Sequence, residues 1–224
     1  MAQSLNSQNI LQPLADHDPD FFEQLNTHLK HQKRGVPQLI LDRTAFLHNV
    51  QLLKLMFARK PQLKPRLVVK SIANLTLLAE LSEQFDTRRY MVFHLAHLKP
   101  LLQMQPDAQI LLGKPMPIQA VEYFYRDDLP ELQNNETDPN LHWLVDTVER
   151  ANEYLAFAQR CSLCLKLNIE IDVGLHRGGI NQSQDFLKIV NLIVQHPKHL
   201  KLSGTMGYDA HVGKLPHIIF NKNK

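Results

Sequence analysis

The chain has 224 residues, which is enough for one large domain or two small ones. Hydrophobic residues make up 44%, and 25 basic against 22 acidic residues leave a net charge of +3. This composition excludes a disordered chain and gives no basis for a nucleic-acid partner. No stretch reaches the roughly 18 uninterrupted apolar residues of a membrane span, and the N-terminus lacks the features of a secretory signal. We therefore expect no membrane partner and a cytoplasmic location.

The first 35 residues are polar, with a short helical pattern around Phe21–Leu29, and are interpreted as an N-terminal extension. From residue 36, short β-like runs alternate with longer segments of helical spacing. The β-like runs are VPQLILD (36–42), LVVK (67–70), YMVF (90–93), AQILLG (108–113), LHWLVD (141–146), LCLKLNIEIDVG (163–174) and LKLSGTMGY (200–208). The helical segments span residues 44–57, 73–85, 148–160 and 184–196.

Strands that alternate with helices predict an α/β fold with a parallel sheet, either open or closed into a barrel. An open dinucleotide-binding sheet would carry G-x-G-x-x-G after its first strand, and the chain has no such motif. Polar residues or glycines end several runs, as in the active-site rim of a (β/α)8 TIM barrel, so the barrel is favoured. Only six strands follow the 36–42 run, where a barrel needs eight, so we expect the barrel to be incomplete.

Lys70 ends an apolar run and allows two interpretations. Lysines at strand ends commonly extend their ammonium group into water while their methylene groups pack below. A desolvated lysine can instead be a nucleophile toward a carbonyl, the role that pyridoxal phosphate enzymes require. The local sequence leaves both interpretations open.

The stretch IEIDVGLHRGGI, residues 169–180, places charged residues between glycines after a predicted strand. Gly174 and Gly179 permit a tight backbone, and Arg177 then lies on a loop at the rim. Its guanidinium could hold a carboxylate, a phosphate or a phenolate oxygen. Alternatively, Asp172 and Arg177 could only brace the loop.

The stretch LSGTMGYDAH, residues 202–211, has two glycines within a predicted strand and then Tyr208, Asp209 and His211. A tyrosine and a histidine at that rim are candidates for packing on a planar cofactor and for proton transfer. His94 and His97 are interpreted as solvated helix residues. Cys161 and Cys164 form a C-x-x-C pair without a second half, which favours a structural interpretation.

These motifs in this order resemble the alanine racemase N-terminal-domain superfamily, the fold-type III pyridoxal phosphate enzymes. DVGLHRGG and MGYDAH look most similar to its D-threonine aldolase and D-serine dehydratase branch. The resemblance implies that pyridoxal 5'-phosphate is the cofactor and that Lys70 forms the aldimine. It also implies cofactor contacts from Arg177, Tyr208 and His211, with His211 or Lys70 moving the proton.

The same resemblance implies an account of the strand count. In the family the first strand, here 36–42, leaves the barrel to join a C-terminal β-domain. Residues 36–213 would then form a partial barrel domain and residues 214–224 a tail, with the last two strands and the β-domain missing. A divalent metal would belong to the full-length form only, and no metal ligand is assigned to this chain.

The implied function is that of a lyase acting on a small-molecule D-amino acid, as a homodimer when intact and impaired here by truncation. Two alternatives stay open: an amino-acid racemase, and a non-catalytic pyridoxal phosphate-binding protein or inactive remnant. The chain departs from the branch beside the lysine, with Val68 in place of a histidine and 71–73 reading SIA in place of T-H-K. These departures bear on substrate chemistry rather than on the lysine.

Overall fold

The computed structural model describes residues 20–128 and 140–214. It divides into two compact units, residues 1–65 and 66–224, which are described separately. The first nineteen residues of the predicted extension, and the predicted tail beyond residue 214, lie outside the described residues. Within the described ranges, no helix is both long enough and apolar enough to cross a membrane.

In its described residues, 20–65, the first unit has two helices, α1 (Phe21–His31) and α2 (Arg43–Ala58). The carboxylate of Asp42 caps α2 by accepting a hydrogen bond from the Ala45 N–H at 2.9 Å. The strand predicted over residues 36–42 is wrong, because this segment has no regular structure and the Leu39 side chain is fully exposed. A strand needs a neighbour for its backbone groups, and the described residues supply none here.

The second unit is built on six strands that alternate with five helices in the described ranges. The strands are β1 (Leu67–Val68), β2 (Arg89–Val92), β3 (Gln109–Leu112), β4 (Leu141–Val145), β5 (Leu165–Ile171) and β6 (Leu200–Gly207). The helices are α3 (Leu75–Gln84), α4 (Leu98–Met104), α5 (Ile118–Tyr123), α6 (Val148–Arg160) and α7 (Ser183–Gln195). A π-helical turn, Phe124–Asp128, extends α5.

The six strands form one parallel sheet in the order β1-β2-β3-β4-β5-β6. Every strand therefore pairs with the next one in the sequence. A doubly wound sheet would reverse its order at a switch point, whereas a barrel winds in one direction. The prediction of an α/β sheet of the TIM-barrel type with six strands is confirmed.

One face of the sheet forms the hydrophobic core. This core includes the alternate β5 residues Leu165, Leu167 and Ile169, but not Asn168 or Glu170, which each follow one of them. Since side chains alternate across a strand, Asn168 and Glu170 point to the opposite face, the interior of the partial barrel. Strand β5 therefore contributes polar side chains to the interior face of the partial barrel.

Two caps fix helix starts just after strand ends. Asn74 begins α3, four residues after Lys70, and its side-chain oxygen accepts a hydrogen bond from the Leu77 N–H at 3.0 Å. Thr147 begins α6, immediately after Asp146, and its hydroxyl accepts one from the Arg150 N–H at 3.1 Å. Such caps satisfy backbone donors that the first helical turn leaves free. They hold the connecting turns of the rim in place.

Candidate functional site

The candidate site lies at the carboxyl ends of the six strands. Because the strands are parallel, these ends share one edge of the sheet, where barrel enzymes build their active sites. The residues just beyond the strands are Lys70 (after β1), Phe93 and His94 (after β2), Gly113 and Lys114 (after β3), Asp146 (after β4), Asp172 (after β5) and Tyr208 (after β6).

Lys70 lies in a short 3₁₀ turn, Val69–Ser71, rather than at the end of a strand. The strand predicted to reach Lys70 stops at Val68, and buried Val69 anchors the turn. The Lys70 side chain is exposed at the rim, and its Nζ lies 3.9 Å from the centroid of the Phe93 ring. The lysine thus extends to the surface, as the first interpretation expected, but its ammonium group contacts an aromatic face.

Asp172 organises the loop that follows β5. Its Oδ1 accepts hydrogen bonds from the Gly174 and His176 N–H groups, both at 3.0 Å, and its Oδ2 lies 2.7 Å from His176 Nδ1. The hydrogen bonds from His176 and Gly174 hold the pKa of the Asp172 carboxyl below its ordinary value. The Asp172 side chain is only 7% exposed, whereas that of His176 is 80% exposed. The carboxylate therefore orients an imidazole that faces solvent.

The loop closes by returning to β5. Asp172 donates its N–H to the Ile180 carbonyl at 3.0 Å, and Ile180 donates to the Glu170 carbonyl at 2.8 Å. Gly179 has a positive φ of 95°, and a Cβ there would lie 2.7 Å from the Asp172 backbone nitrogen. Only glycine allows this close passage without strain. The loop is therefore a fixed platform for Arg177.

Glu170 lies beneath this loop and is 6% exposed. Burial is the main cause that raises the pKa of its carboxyl, and the nearby Asp146 carboxylate adds to it. Arg177 acts in the opposite direction, which places its charge near Glu170. The interior face of the barrel thus carries an acidic group directly below the candidate site.

Arg177 and Tyr208 meet across the β5 and β6 ends. The guanidinium carbon of Arg177 lies 4.2 Å from the centroid of the Tyr208 ring, within the range of a cation–π contact. His211 approaches the same loop, since its Nε2 lies 3.3 Å from where a Gly174 Cβ would be. The His211 Nδ1 is buried and has no hydrogen-bond partner in the described residues. An unpaired buried nitrogen is available for a ligand or a proton.

The structure thus places the predicted site residues at two separate positions on one rim. The arginine cluster comprises Asp172, Arg177, Tyr208 and His211, whereas Lys70 lies after β1 at the other end of the strand order. Neither a hydrogen bond nor an ion pair joins Lys70 to the arginine cluster among the described residues. Lys70 and the arginine cluster are related only by lying at the carboxyl ends of strands of the same sheet.

Several residues of the site escaped the sequence reasoning. Phe93 was part of a predicted strand, His176 was one letter of a motif, and Glu170 was assigned no role. The alternation in IEID indicates an inward Glu170 on its own. Nothing local indicates that Phe93 contacts Lys70, because 22 residues of the chain lie between them.

His94 and His97 do not form the solvated helix face expected for them. His94 is exposed, but His97 is partly buried and its Nδ1 is inaccessible without a hydrogen-bond partner in the described residues. Their rings meet edge to face with centroids 5.8 Å apart. A 3₁₀ turn, Leu95–His97, precedes α4 and brings the two rings together.

The residues present fit a planar, anionic aldehyde such as pyridoxal phosphate. Lys70 offers an accessible amine, Arg177 a cation supported by an aromatic ring, and His211 an unpaired imidazole nitrogen. These are the group types that hold such a cofactor. No cluster of three or more His, Cys, Asp or Glu side chains suited to a metal occurs in residues 20–128 and 140–214.

Comparison with known proteins agrees with the fold. Residues 41–222 match the family model described as alanine racemase, N-terminal domain. No curated protein matches the chain significantly by sequence. A histidine-to-alanine mutant of D-threo-3-hydroxyaspartate dehydratase is similar in structure, with a TM-score of 0.66, 18% identity, and coverage of 86% of this chain and 48% of that chain.

Two racemases are also similar in structure. Alanine racemase from Oenococcus oeni has a TM-score of 0.55 and 17% identity, covering 72% of this chain and 43% of its own. Histidine racemase from Leuconostoc mesenteroides subsp. sake has a TM-score of 0.58 and 16% identity, covering 72% and 41%. At these identities the likeness shows the fold alone. The chain spans less than half the length of each of these three proteins.

Proposed function

The chain belongs to the alanine racemase N-terminal-domain family, and we propose that it forms the cofactor-binding part of a pyridoxal phosphate enzyme that acts on D-amino acids. The observation that carries this proposal is the exposed amine of Lys70 on the same strand edge as Arg177, Tyr208 and His211. The family is one of fold-type III pyridoxal phosphate enzymes, in agreement with the motifs of the sequence. The reaction itself belongs to the proposal.

Lys70 would bind the cofactor covalently. Its amine is the nucleophile that would hold the aldehyde group of the cofactor. Bound pyridoxal phosphate supplies a pyridine ring that withdraws electrons from the substrate's Cα. Lys70 would also be the group that accepts or returns a proton at the substrate.

The arginine cluster would orient the cofactor. Arg177 presents N–H donors suited to a phenolate, phosphate or carboxylate oxygen, and Tyr208 holds the guanidinium in place. His211 has an Nδ1 without a hydrogen-bond partner in the described residues, which would be available to a polar atom of the bound group. The Asp172 carboxylate fixes the loop that carries Arg177, so these groups are positioned before any ligand arrives.

We infer a lyase of the D-threonine aldolase or D-serine dehydratase type, because DVGLHRGG and MGYDAH resemble that branch. An amino-acid racemase is the second candidate, favoured by the description of the family that the chain matches. A pyridoxal phosphate-binding protein without a reaction is the remaining alternative from the sequence, and the tests below distinguish it.

The cofactor proposal is tested by mixing the purified chain with pyridoxal phosphate, reducing with borohydride and mapping the modified peptide. We expect a visible absorption band and cofactor fixed on Lys70. Lys70→Ala should lose both the absorption band and the fixed cofactor. Lys114→Ala, which removes a lysine at the rim after β3, should keep both. Cofactor distributed equally over several lysines, or no band in the unchanged chain, would refute a specific site.

The reaction is tested on the same preparation with D-threonine, D-serine and D-alanine. An aldolase converts D-threonine into glycine and acetaldehyde, and a dehydratase converts D-serine into pyruvate and ammonia. A racemase instead accumulates the L-enantiomer. Loaded cofactor without any of these products supports the cofactor-binding protein over the two enzymes.

A further inference from the structure

The ring of Phe93 depends on the absence of a side chain at Gly113. A Cβ at Gly113 would lie 2.4 Å from Phe93 Cζ and 2.7 Å from both Cε atoms, well inside any contact that real Cβ atoms make. The ring therefore lies directly over the glycine backbone. Gly113 follows β3 and Phe93 follows β2, whose ends are neighbours through the pairing of Val92 with Leu112.

Phe93 follows β2, and the other strand that pairs with β2 is β1, which leads to Lys70. The Lys70 ammonium lies 3.9 Å from the ring centroid, closer than the roughly 6 Å limit of a cation–π contact. Three consecutive strand ends thus form one stack of Gly113, Phe93 and Lys70. The glycine provides the space, the ring fills it, and the ammonium group rests on the ring.

No other described group competes for the ammonium. None of the ion pairs or hydrogen bonds of the described residues involves Lys70. His94 and Lys114, the titratable groups beside Phe93 and Gly113, form no hydrogen bond or ion pair with Lys70 either. Among the described residues, the aromatic face is therefore the contact that holds the ammonium group.

A cation–π contact stabilises the ammonium form and is lost by the neutral amine. The neutral amine is nevertheless the form that attacks a carbonyl carbon. We propose that Phe93, seated on Gly113, is a positioning residue that holds the Lys70 side chain at the rim through this contact. It thereby restrains the reaction of this amine until a bound carbonyl compound displaces the contact. The inference deepens the proposed function, on which its role in cofactor loading rests.

The contact itself is tested without any cofactor. Trace acetic anhydride labels amines in their neutral form, and peptide mass spectrometry compares Lys70 with Lys114 in the same molecule. At neutral pH we expect Phe93→Leu to raise the labelling of Lys70 about two- to five-fold, the factor that an exposed cation–π contact supports. Phe93→Tyr retains the ring and should restore the rate of the unchanged protein.

A second variant tests the contact between Lys70 and Phe93 by changing the glycine on the other side of the ring. Gly113→Ala must displace the ring, so it should raise Lys70 labelling in the same direction as Phe93→Leu. Gly213→Ala is the matched control and should leave the labelling unchanged, because no atom of the described residues lies within 4 Å of a Cβ there. Emission from buried Trp143 checks that each variant is folded.

Unchanged or slower Lys70 labelling in folded Phe93→Leu or Gly113→Ala would overturn the inference. The outcome is separable from the proposed function. Faster labelling in a protein that fixes no pyridoxal phosphate on Lys70 supports the aromatic contact and refutes the cofactor. Cofactor fixed on Lys70 with labelling unaffected by the ring supports the cofactor and refutes the role of Phe93.

Discussion

The guanidinium carbon of Arg177 lies 4.2 Å from the centre of the Tyr208 ring, which joins the loop after β5 to the end of β6. The sequence suggested each residue separately as a cofactor contact. Their stacking means that neither is positioned alone, since the ring limits the directions the guanidinium can take. A substitution of Tyr208 should therefore act through Arg177.

We predict that Tyr208→Leu weakens pyridoxal phosphate binding about two- to five-fold, because it removes the aromatic face beneath Arg177. Titration of the visible absorption band measures the change. Tyr208→Phe keeps the face and should bind nearly as well as the unchanged chain. Tyr123→Leu removes a tyrosine near Arg126, away from the site, and serves as the control. Equal losses in Tyr208→Phe and Tyr208→Leu would assign the effect to the hydroxyl.

Replacement of Gly179 by alanine should destabilise the loop that carries Arg177. Its φ of 95° is unfavourable for alanine, and the new Cβ would meet the backbone at Asp172. We expect a loss of at least about 1–3 kcal/mol in the free energy of unfolding. Urea unfolding followed by Trp143 emission measures it, and Gly213→Ala should stay within about 0.5 kcal/mol. A Gly179→Ala variant as stable as this control would contradict the close passage.

Glu170 should make the stability of the second unit fall as pH rises. Its folded-state pKa is raised, so the folded protein keeps a proton that the unfolded chain releases near its ordinary pKa of 4.5. Stability from this group is therefore full below pH 4.5 and is lost as pH rises through the folded-state pKa. Glu170→Gln should unfold at higher urea than the unchanged chain at neutral pH.

The gain in Glu170→Gln should shrink as pH falls toward 4.5, where both proteins carry a neutral side chain at this position. Glu149→Gln, at an exposed position near the same rim, is the control and should show no such dependence. A constant difference between Glu170→Gln and the unchanged chain at all pH values would exclude the buried carboxyl as its cause.

Among the core residues of β4, Trp143 should cause the largest loss of unfolding free energy when it is replaced by alanine. Its side chain is fully buried, and its Nε1 donates a hydrogen bond to the Tyr125 hydroxyl at 3.3 Å. Trp143→Ala should lose about 3–5 kcal/mol of unfolding free energy, as large-to-small core substitutions do. Thermal unfolding by circular dichroism measures it, with exposed Leu187→Ala as the control. A loss below about 1 kcal/mol would show that the sheet does not depend on this packing.

The elements of the second unit could be predicted well because their signal is local. Helix α6, Val148–Arg160, has the predicted bounds, and its apolar spacing alone specifies the buried face. Strands β2 to β6, the first of which begins at Arg89, likewise coincide with the apolar runs of the sequence. Residues 36–42 have the same apolar character but form no strand, because a strand also requires a partner that this sequence pattern cannot guarantee.

The candidate site was predictable in its parts rather than in its contacts. Lys70, Arg177, Tyr208 and His211 could be chosen because reactive or charged residues followed apolar runs at the predicted rim. Their neighbours could not be chosen in the same way. Phe93 and Gly113 each stood at the end of a predicted strand, with nothing to mark them as site residues.

The sequence by itself determined the alternation of strands and helices, the carboxyl-end placement of Lys70 and the glycines around Arg177. Only the tertiary structure decided that the Phe93 ring rests on Gly113 beneath Lys70, and that Arg177 stacks on Tyr208. The physical reason is distance along the chain. Periodicity and turn chemistry act over a few residues, whereas contacts between neighbouring strand ends join residues about 20 to 30 positions apart, which parallel pairing of the strands brings together.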